Sequence, residues 1–390
     1  MRFADRLSRL GTETAFDVLV KARALEAQGK EIIHLEIGEP DFETPSGVTA
    51  AATQALAEGY THYCPSPGLP ELRQAIAGEV SRTRGISVDP DWVLVTPGAK
   101  PIMFYLILSL VNEGDEVLYP NPGFPIYESM IRFVGGKPVP LPLLEEVDFR
   151  FDIAEFRSKI SAKTKLIILN SPQNPTGGVL EAEDLRAIAE VAVERDIVVL
   201  SDEIYSRILY EGQHFSIAAL PGMQERTVIL DGFSKTFAMT GWRLGYGVMH
   251  PDLLGHMSKL VTNSVSCTAP FVQRAGLEAL ANTNEAVEAM TDEFLRRRDF
   301  IVRGLNEIPG VRCRMPKGAF YAFPNIRSLR MKSQECADRL LYEGGVAVLS
   351  GTSFGEYGEG YLRLSYANSL ENLDKALKRI RGVAEDVLNR

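Results

Sequence analysis

The sequence predicts an α/β fold built on a mostly parallel sheet, and two observations carry that expectation. Its strand-like runs are apolar throughout rather than alternating, and helical stretches separate them. Strands buried on both faces read this way, because crossover helices cover both sides of a parallel sheet. Such sheets bind ligands beyond the carboxyl ends of their strands.

In chain order, residues 15–28 read as an amphipathic helix, and the apolar run 32–37 as a strand that breaks at Gly38-Glu39-Pro40-Asp41. A helix starts at Pro70, where proline is tolerated because the first helical N–H groups have no intrahelical partner. Residues 92–96 form a buried strand, followed by the turn Pro97-Gly98-Ala99-Lys100 and a helix from Pro101. Strands at 116–119 and 166–169, a helix at 182–195 and strands at 197–200 and 228–230 continue the alternation. Toward the C-terminus, 318–323 and 346–349 supply strands and 370–388 a closing helix.

Length and composition narrow the class. A chain of 390 residues is too long for one ordinary core, so two domains are expected, and 45% hydrophobic content supports both. A net charge of −9 with no basic block argues against a nucleic-acid surface. No apolar run reaches the roughly 18 residues of a membrane span. The N-terminus lacks the apolar core of a signal peptide, and four cysteines without a CxxC pair suit free thiols in a reducing cytoplasm. Five unclustered histidines give no metal-ligand pattern.

The most informative segment is 231–246. Lys235 follows an apolar strand, sits next to Ser234 and precedes Arg243 in an aromatic-rich stretch. Burial there would lower its pKa and make it a usable amine nucleophile. Ser234 and Arg243 offer a hydroxyl and a planar charged fork to a phosphate. An amine beside a phosphate site suits pyridoxal phosphate (PLP), which is held as a Schiff base.

Other clusters lie just past strand ends. Gly98-Ala99-Lys100 opens a helix whose N–H groups suit an anion, although alone it reads as a simple cap. Phe124, in the turn 121–127, is either a stacking ring or a core residue. Asn174 sits in a turn dense in proline and glycine, and Asp202 and Tyr205 follow the strand 197–200. Taken singly, Asp202 is a helix cap. Beside Lys235 it would keep a pyridine nitrogen protonated, with Tyr205 and Asn174 on the ring oxygen.

Asn174-Pro175-Thr176-Gly177, 201–205, Ser234-Lys235 and 239–245 together resemble the signature set of PLP-dependent fold type I aminotransferases. More narrowly, the chain resembles the bacterial and archaeal branch of the aspartate aminotransferase family. The likeness runs nearly end to end. It includes 37–42 as the substrate loop, Tyr63 with 68–73 as the segment reaching a neighbouring subunit, and 361–366 as the carboxylate-binding strand.

The resemblance implies a mostly parallel seven-stranded sheet in a large domain (46–285), with a smaller α+β domain from 1–45 and 286–390. It implies Lys235 as the covalent anchor of PLP and the base of the 1,3-proton shift, Asp202 on the pyridinium, and Tyr205 and Asn174 on the ring oxygen. Phe124 would stack on the ring. The phosphate would be held by the Ala99 and Lys100 backbone, Ser234, Arg243, and Tyr63 of a second copy of the chain, hence a homodimer with shared active sites. Arg363 would grip the substrate α-carboxylate, with Gly38 and Asn174 nearby. Gly232 departs from the pattern: many relatives carry alanine or a hydroxyl there, so the phosphate has one donor fewer.

The implied reaction is ping-pong transfer of an amino group from an L-amino acid to a 2-oxo acid. Glutamate and 2-oxoglutarate form one expected pair, with aspartate, alanine or an aromatic amino acid in the other. Lys100 either reads a distal carboxylate or lies along the domain cleft, while Phe16 and Phe124 would suit apolar side chains. A β-lyase, a cyclopropane-carboxylate synthase or an amino-acid oxidase can share these motifs. A PLP-binding regulator would need a helical DNA-binding module ahead of them, and the resemblance begins within the first twenty residues. An ordinary phosphate-binding α/β protein explains neither Asp202 nor Lys235.

Overall fold

The computed structural model describes residues 1–389; Arg390, the last residue of the expected small domain, lies outside the described residues. In chain order the strands are β1 (Ile33–His34), β2 (Val93–Thr96), β3 (Glu116–Asn121), β4 (Lys137–Pro142), β5 (Thr164–Asn170) and β6 (Val198–Asp202). They continue with β7 (Thr227–Gly232), β8 (Gly245–Val248), β9 (Tyr321–Ala322), β10 (Val346–Ala347), β11 (Leu349–Ser350) and β12 (Leu362–Ser365).

Seven of them form one sheet in the order β2-β8-β7-β6-β5-β3-β4. Every neighbouring pair is parallel except the two that involve β8, which is antiparallel to both β2 and β7. The mostly parallel seven-stranded sheet is therefore present. The carboxyl ends of the other six strands and the start of β8 share one edge, with Thr96 and Gly232 both paired to Gly245. Away from this sheet, β1 pairs with β10, and β11, β12 and β9 form a three-stranded antiparallel sheet.

The expected helices are in place at Thr14–Glu26, Pro70–Arg84, Lys100–Leu110, Ala182–Arg195 and Leu370–Leu388. The third is apolar almost all round, and Ile102, Met103, Leu106 and Ile107 are completely or almost completely buried. A helix apolar on every face has to be covered on every face.

Three features differ from the sequence reading. The run 32–37 makes a ladder only at Ile33–His34; Leu35 N–H still bonds Ala347, but the chain then turns into the cleft. β4 reads Lys-Pro-Val-Pro-Leu-Pro, which argues against a strand, yet it occupies the sheet edge, where proline's missing N–H does little harm. β8, Gly-Tyr-Gly-Val, lacks an apolar run because it is squeezed between a helix start and β7.

Below the ligand edge lies a buried charge cluster. Arg84, the last residue of its helix, donates from Nε to Glu203 (2.9 Å) and from Nη2 to Asp231 (2.5 Å) and Ser206 (2.9 Å). Burial opposes the charge on Glu203, but His214, 3.0 Å away, and Arg84 outweigh it and hold its carboxyl well below the usual range. Removing one member of such a cluster strands the others without a partner. Arg84→Met should lower unfolding free energy by about 3–5 kcal/mol, read as a fall in the urea midpoint with little change in slope.

Candidate active site

One cleft of about 840 Å³ opens at the ligand edge of the large sheet, and it gathers nearly all the residues singled out in the sequence. Gly38, Ala99, Lys100, Phe124, Asn174, Asp202, Tyr205, Ser234, Lys235, Arg243 and Arg363 all line it. Tyr63 does not; it stands 89% exposed on the outside of the chain.

Lys235 is placed by the turn that leaves β7, and its Nζ donates to the Gly38 carbonyl at 2.5 Å. The Phe320 ring lies beneath it, with its centroid 6.0 Å from Nζ. The surrounding protein strips water from the amine and pulls its pKa down to about 8, against the partial support of Glu39. At that value about a tenth is the free, nucleophilic amine at pH 7, against less than about 0.1% for an ordinary lysine.

Asp202 ends β6 and is buried at the cleft floor. Burial drives its carboxyl up to about 7, and the neighbouring Asp231 and Glu203 push in the same direction. A 2.6 Å bond from Tyr127 Oη and the Ile204 N–H restrain the rise. No salt bridge reaches Asp202 among the described residues, so it is a carboxylate waiting for a cation. Asn170, at the end of β5, donates to the Asp202 carbonyl (3.1 Å) and accepts from the Asn174 N–H (2.9 Å). That bridge fixes the 170–178 turn against β6.

At the other end, Ala99 and Lys100, where the helix Lys100–Leu110 begins, line the cleft, and a helix start suits an anion. Gly98 has φ +86°, and a Cβ there would sit 2.2 Å from Arg243 Nη2, so only glycine lets the guanidinium close over the turn. Arg243 is held by its own Nη1 bond to the Thr240 carbonyl (2.8 Å). Gly232 has a packing reason too: a Cβ there would lie 2.9 Å from the Gly245 Cα. The side chain absent at 232 is the one that the tight β7–β8 contact forbids.

Arg363, from β12, is buried and sandwiched between Tyr321 (4.6 Å to the ring centroid) and Phe354 (5.1 Å). It donates to the Glu36 carbonyl and, at 3.4 Å, to Asn174 Oδ1, while its Nε has no partner. Tyr205 Oη meets Tyr321 Oη at 2.7 Å.

The sequence reading assigned no role to Tyr127, Tyr321, Phe354 or Glu13. Tyr127 had a usable signal, lying in the same short turn as Phe124, whose ring it meets edge-on at 5.6 Å. Tyr321 sits within the segment expected as a small-domain strand. Glu13, which forms an ion pair with Lys100, had none, because only tertiary folding brings residues so distant in sequence together.

Chemically the cleft offers an activated amine, an uncompensated carboxylate, an anion cradle and a guanidinium set in an aromatic slot. Comparison with known proteins agrees with that set. The family model "Aminotransferase class I and II" matches residues 30–380. An aspartate aminotransferase of Pyrococcus abyssi is 43% identical over 390 residues, covering 99% of both chains. Aromatic-amino-acid aminotransferase 2 of Thermococcus litoralis is 39% identical, again over 99% of both chains. The structure of aspartate aminotransferase from Thermus thermophilus with maleate superposes with a TM-score of 0.94 at 40% identity, covering 98% of this chain and 100% of the other.

The lysine environment makes a direct prediction for cofactor-free protein. Because its folded pKa is lowered, Lys235 should acquire acylating label with a half-maximal rate near pH 8. An unperturbed lysine titrates at about 10.4. Mass-spectrometric mapping of the Lys235 peptide across pH 6–11, on the order of half-unit steps, reads this; labelling that still climbs steeply above pH 10 would contradict it.

Proposed function

The chain belongs to the aminotransferase class I and II family and is an aminotransferase; we propose that its cleft binds PLP and moves an amino group from an L-amino acid to a 2-oxo acid in two half-reactions. The observation that carries this reading is the desolvated Lys235 amine lying in the same cleft as the unpaired Asp202.

The donor set fits the cofactor. Lys235 supplies the amine that an aldehyde requires, and Asp202 the counter-charge for a protonated pyridine nitrogen. The glycine-lined helix start, Ser234 and Arg243 suit a phosphate. When bound, PLP supplies an electron sink that accepts the pair left when the substrate loses its α-proton.

The chain's own residues do the rest. Arg363, with its unpartnered Nε and rigid aromatic walls, orients the substrate α-carboxylate as a planar fork. Lys235 Nζ, as the free amine of the cleft, would take the proton from the substrate α-carbon. Phe124 would cover one face of the bound ring, and Tyr205 and Asn174 would hold its oxygen. Tyr127 keeps Asp202 aimed: its hydroxyl proton occupies Oδ2, and Oδ1, which accepts only the Ile204 N–H at 3.3 Å, would keep a lone pair for the cofactor.

The reading extends to organisation and substrates. The large domain spans 46–285, and the small one combines 1–45 with 286–390. The chain acts as a homodimer in which the exposed Tyr63 completes the neighbour's phosphate site, a role its position outside its own cleft supports. Exposed Phe3, Leu7, Leu10, Phe16 and Val20 add apolar surface for that contact. Glutamate and 2-oxoglutarate form one substrate pair, with aspartate, alanine or an aromatic amino acid in the other. The aspartate and aromatic names of the relatives, and the dicarboxylate maleate in the Thermus structure, support that range. The transferase names do not favour lyase or oxidase chemistry. Four cysteines, none in a disulfide, accord with the cytoplasm.

Activity, variants and oligomeric state test the reading. A panel of amino donors against 2-oxoglutarate and pyruvate should give 2-oxo acid products, and Lys235→Ala should lower turnover by more than about 10³-fold. Ammonia or peroxide formed without an added 2-oxo acid would instead favour a lyase or an oxidase. Sedimentation should show a dimer, and Tyr63→Phe should weaken PLP retention; a fully active monomer contradicts the shared site.

A further inference from the structure

Most charged side chains lining the cleft already have a task or a fixed partner. Asp202, Lys235, Arg243 and Arg363 are placed above. Glu39 accepts from Thr240 Oγ1 at 3.0 Å, Asp41 pairs with Arg297 at 2.6 Å, Arg23 with Glu26 at 2.9 Å, and His34 is held between Glu26 and Glu36. What remains is Lys100 and its ion-pair partner Glu13.

Their geometry is unusual for a structural pair. Glu13 occupies the N-cap of the helix Thr14–Glu26, yet its carboxylate makes no capping bond and reaches across to Lys100 instead. Lys100 Nζ also lies over Phe124, 5.3 Å from the ring centroid, so the pair sits against the ring proposed to cover the cofactor. Both residues face the open cleft, with side-chain exposures of 46% for Lys100 and 18% for Glu13. Lys100 is the exposed end of the pair, and water screens its attraction to Glu13, so another carboxylate can replace Glu13 with little net change.

We propose that Glu13 is an exchangeable internal counter-ion that sets the balance between anionic and uncharged substrate side chains. A ping-pong enzyme must seat both substrates of its two half-reactions in one cleft. With an uncharged side chain bound, Glu13 neutralises Lys100 and no charge is left unpaired. With a dicarboxylate bound, the distal carboxylate takes Lys100, and Glu13 swings outward from its unused cap position. The inference rests on the aminotransferase reading and adds a specificity-determining residue to it.

The test uses full-length, PLP-loaded protein and follows the donor half-reaction alone by cofactor absorbance, so that the acceptor does not enter. Aspartate and phenylalanine are compared in wild type, Glu13→Gln and Lys100→Met. Glu13→Gln should raise the aspartate-to-phenylalanine selectivity ratio about tenfold, through half-saturation rather than maximal rate, because the competing carboxylate is gone. Lys100→Met should lower the same ratio about tenfold or more. A ratio within about twofold of wild type in Glu13→Gln, or a change confined to maximal rate, would overturn the proposal. Wild type that reacts with no donor would overturn the aminotransferase reading, and the counter-ion role of Glu13 would fall with it.

Discussion

Two neighbouring strands, β6 and β7, bring three carboxylates to one edge of the sheet, and the site follows from how that charge is balanced. Glu203 and Asp231 share the single guanidinium of Arg84, which arrives from the end of a helix on the far side of the cluster. Asp202 receives none of that positive charge. Its carboxyl stays poised near neutrality, restrained only by a tyrosine hydroxyl and a backbone N–H. If Arg84 were closer to Asp202, the cleft floor would lose an acidic group that no cation holds among the described residues. Partition of charge among adjacent acids, rather than any one acid, makes the cleft floor reactive.

The amine opposite obeys the complementary rule. Lys235 is desolvated and lies among cationic neighbours, Arg363 and Arg243, whose fields disfavour a further positive charge. Low dielectric thus raises the acid and lowers the base, moving both toward the same pH range. Neither side chain would behave this way on the protein surface.

The large sheet was legible in the sequence wherever burial wrote a continuous apolar run, as at 166–169, 197–200 and 228–230. It was illegible where another constraint outranked burial. Proline at the edge hid β4, and the need for close approach made β8 glycine-rich. The expected strand 32–37 shortened because its later residues serve the cleft: the Glu36 carbonyl takes Arg363 and the Gly38 carbonyl takes Lys235. Site residues were readable when they sat in turns directly after strands. Tyr127, Tyr321, Phe354 and Glu13 act by supporting other side chains, and a supporting contact leaves no local pattern. Gly232 shows the reverse case, a residue noted as a departure whose reason is steric and lies in the next strand.

The reversal of β8 has an architectural consequence. A parallel successor to β7 would have required a crossover helix, carrying the chain away from the ligand edge and back again. Because β8 runs the other way, the chain turns round at that edge and never leaves it. Lys235 and Arg243 therefore ride on one hairpin connection, between two strands locked by the Gly232–Gly245 contact. The amine and the guanidinium that face the cleft thus share a tether, whose geometry can be inherited or transplanted as a single cassette.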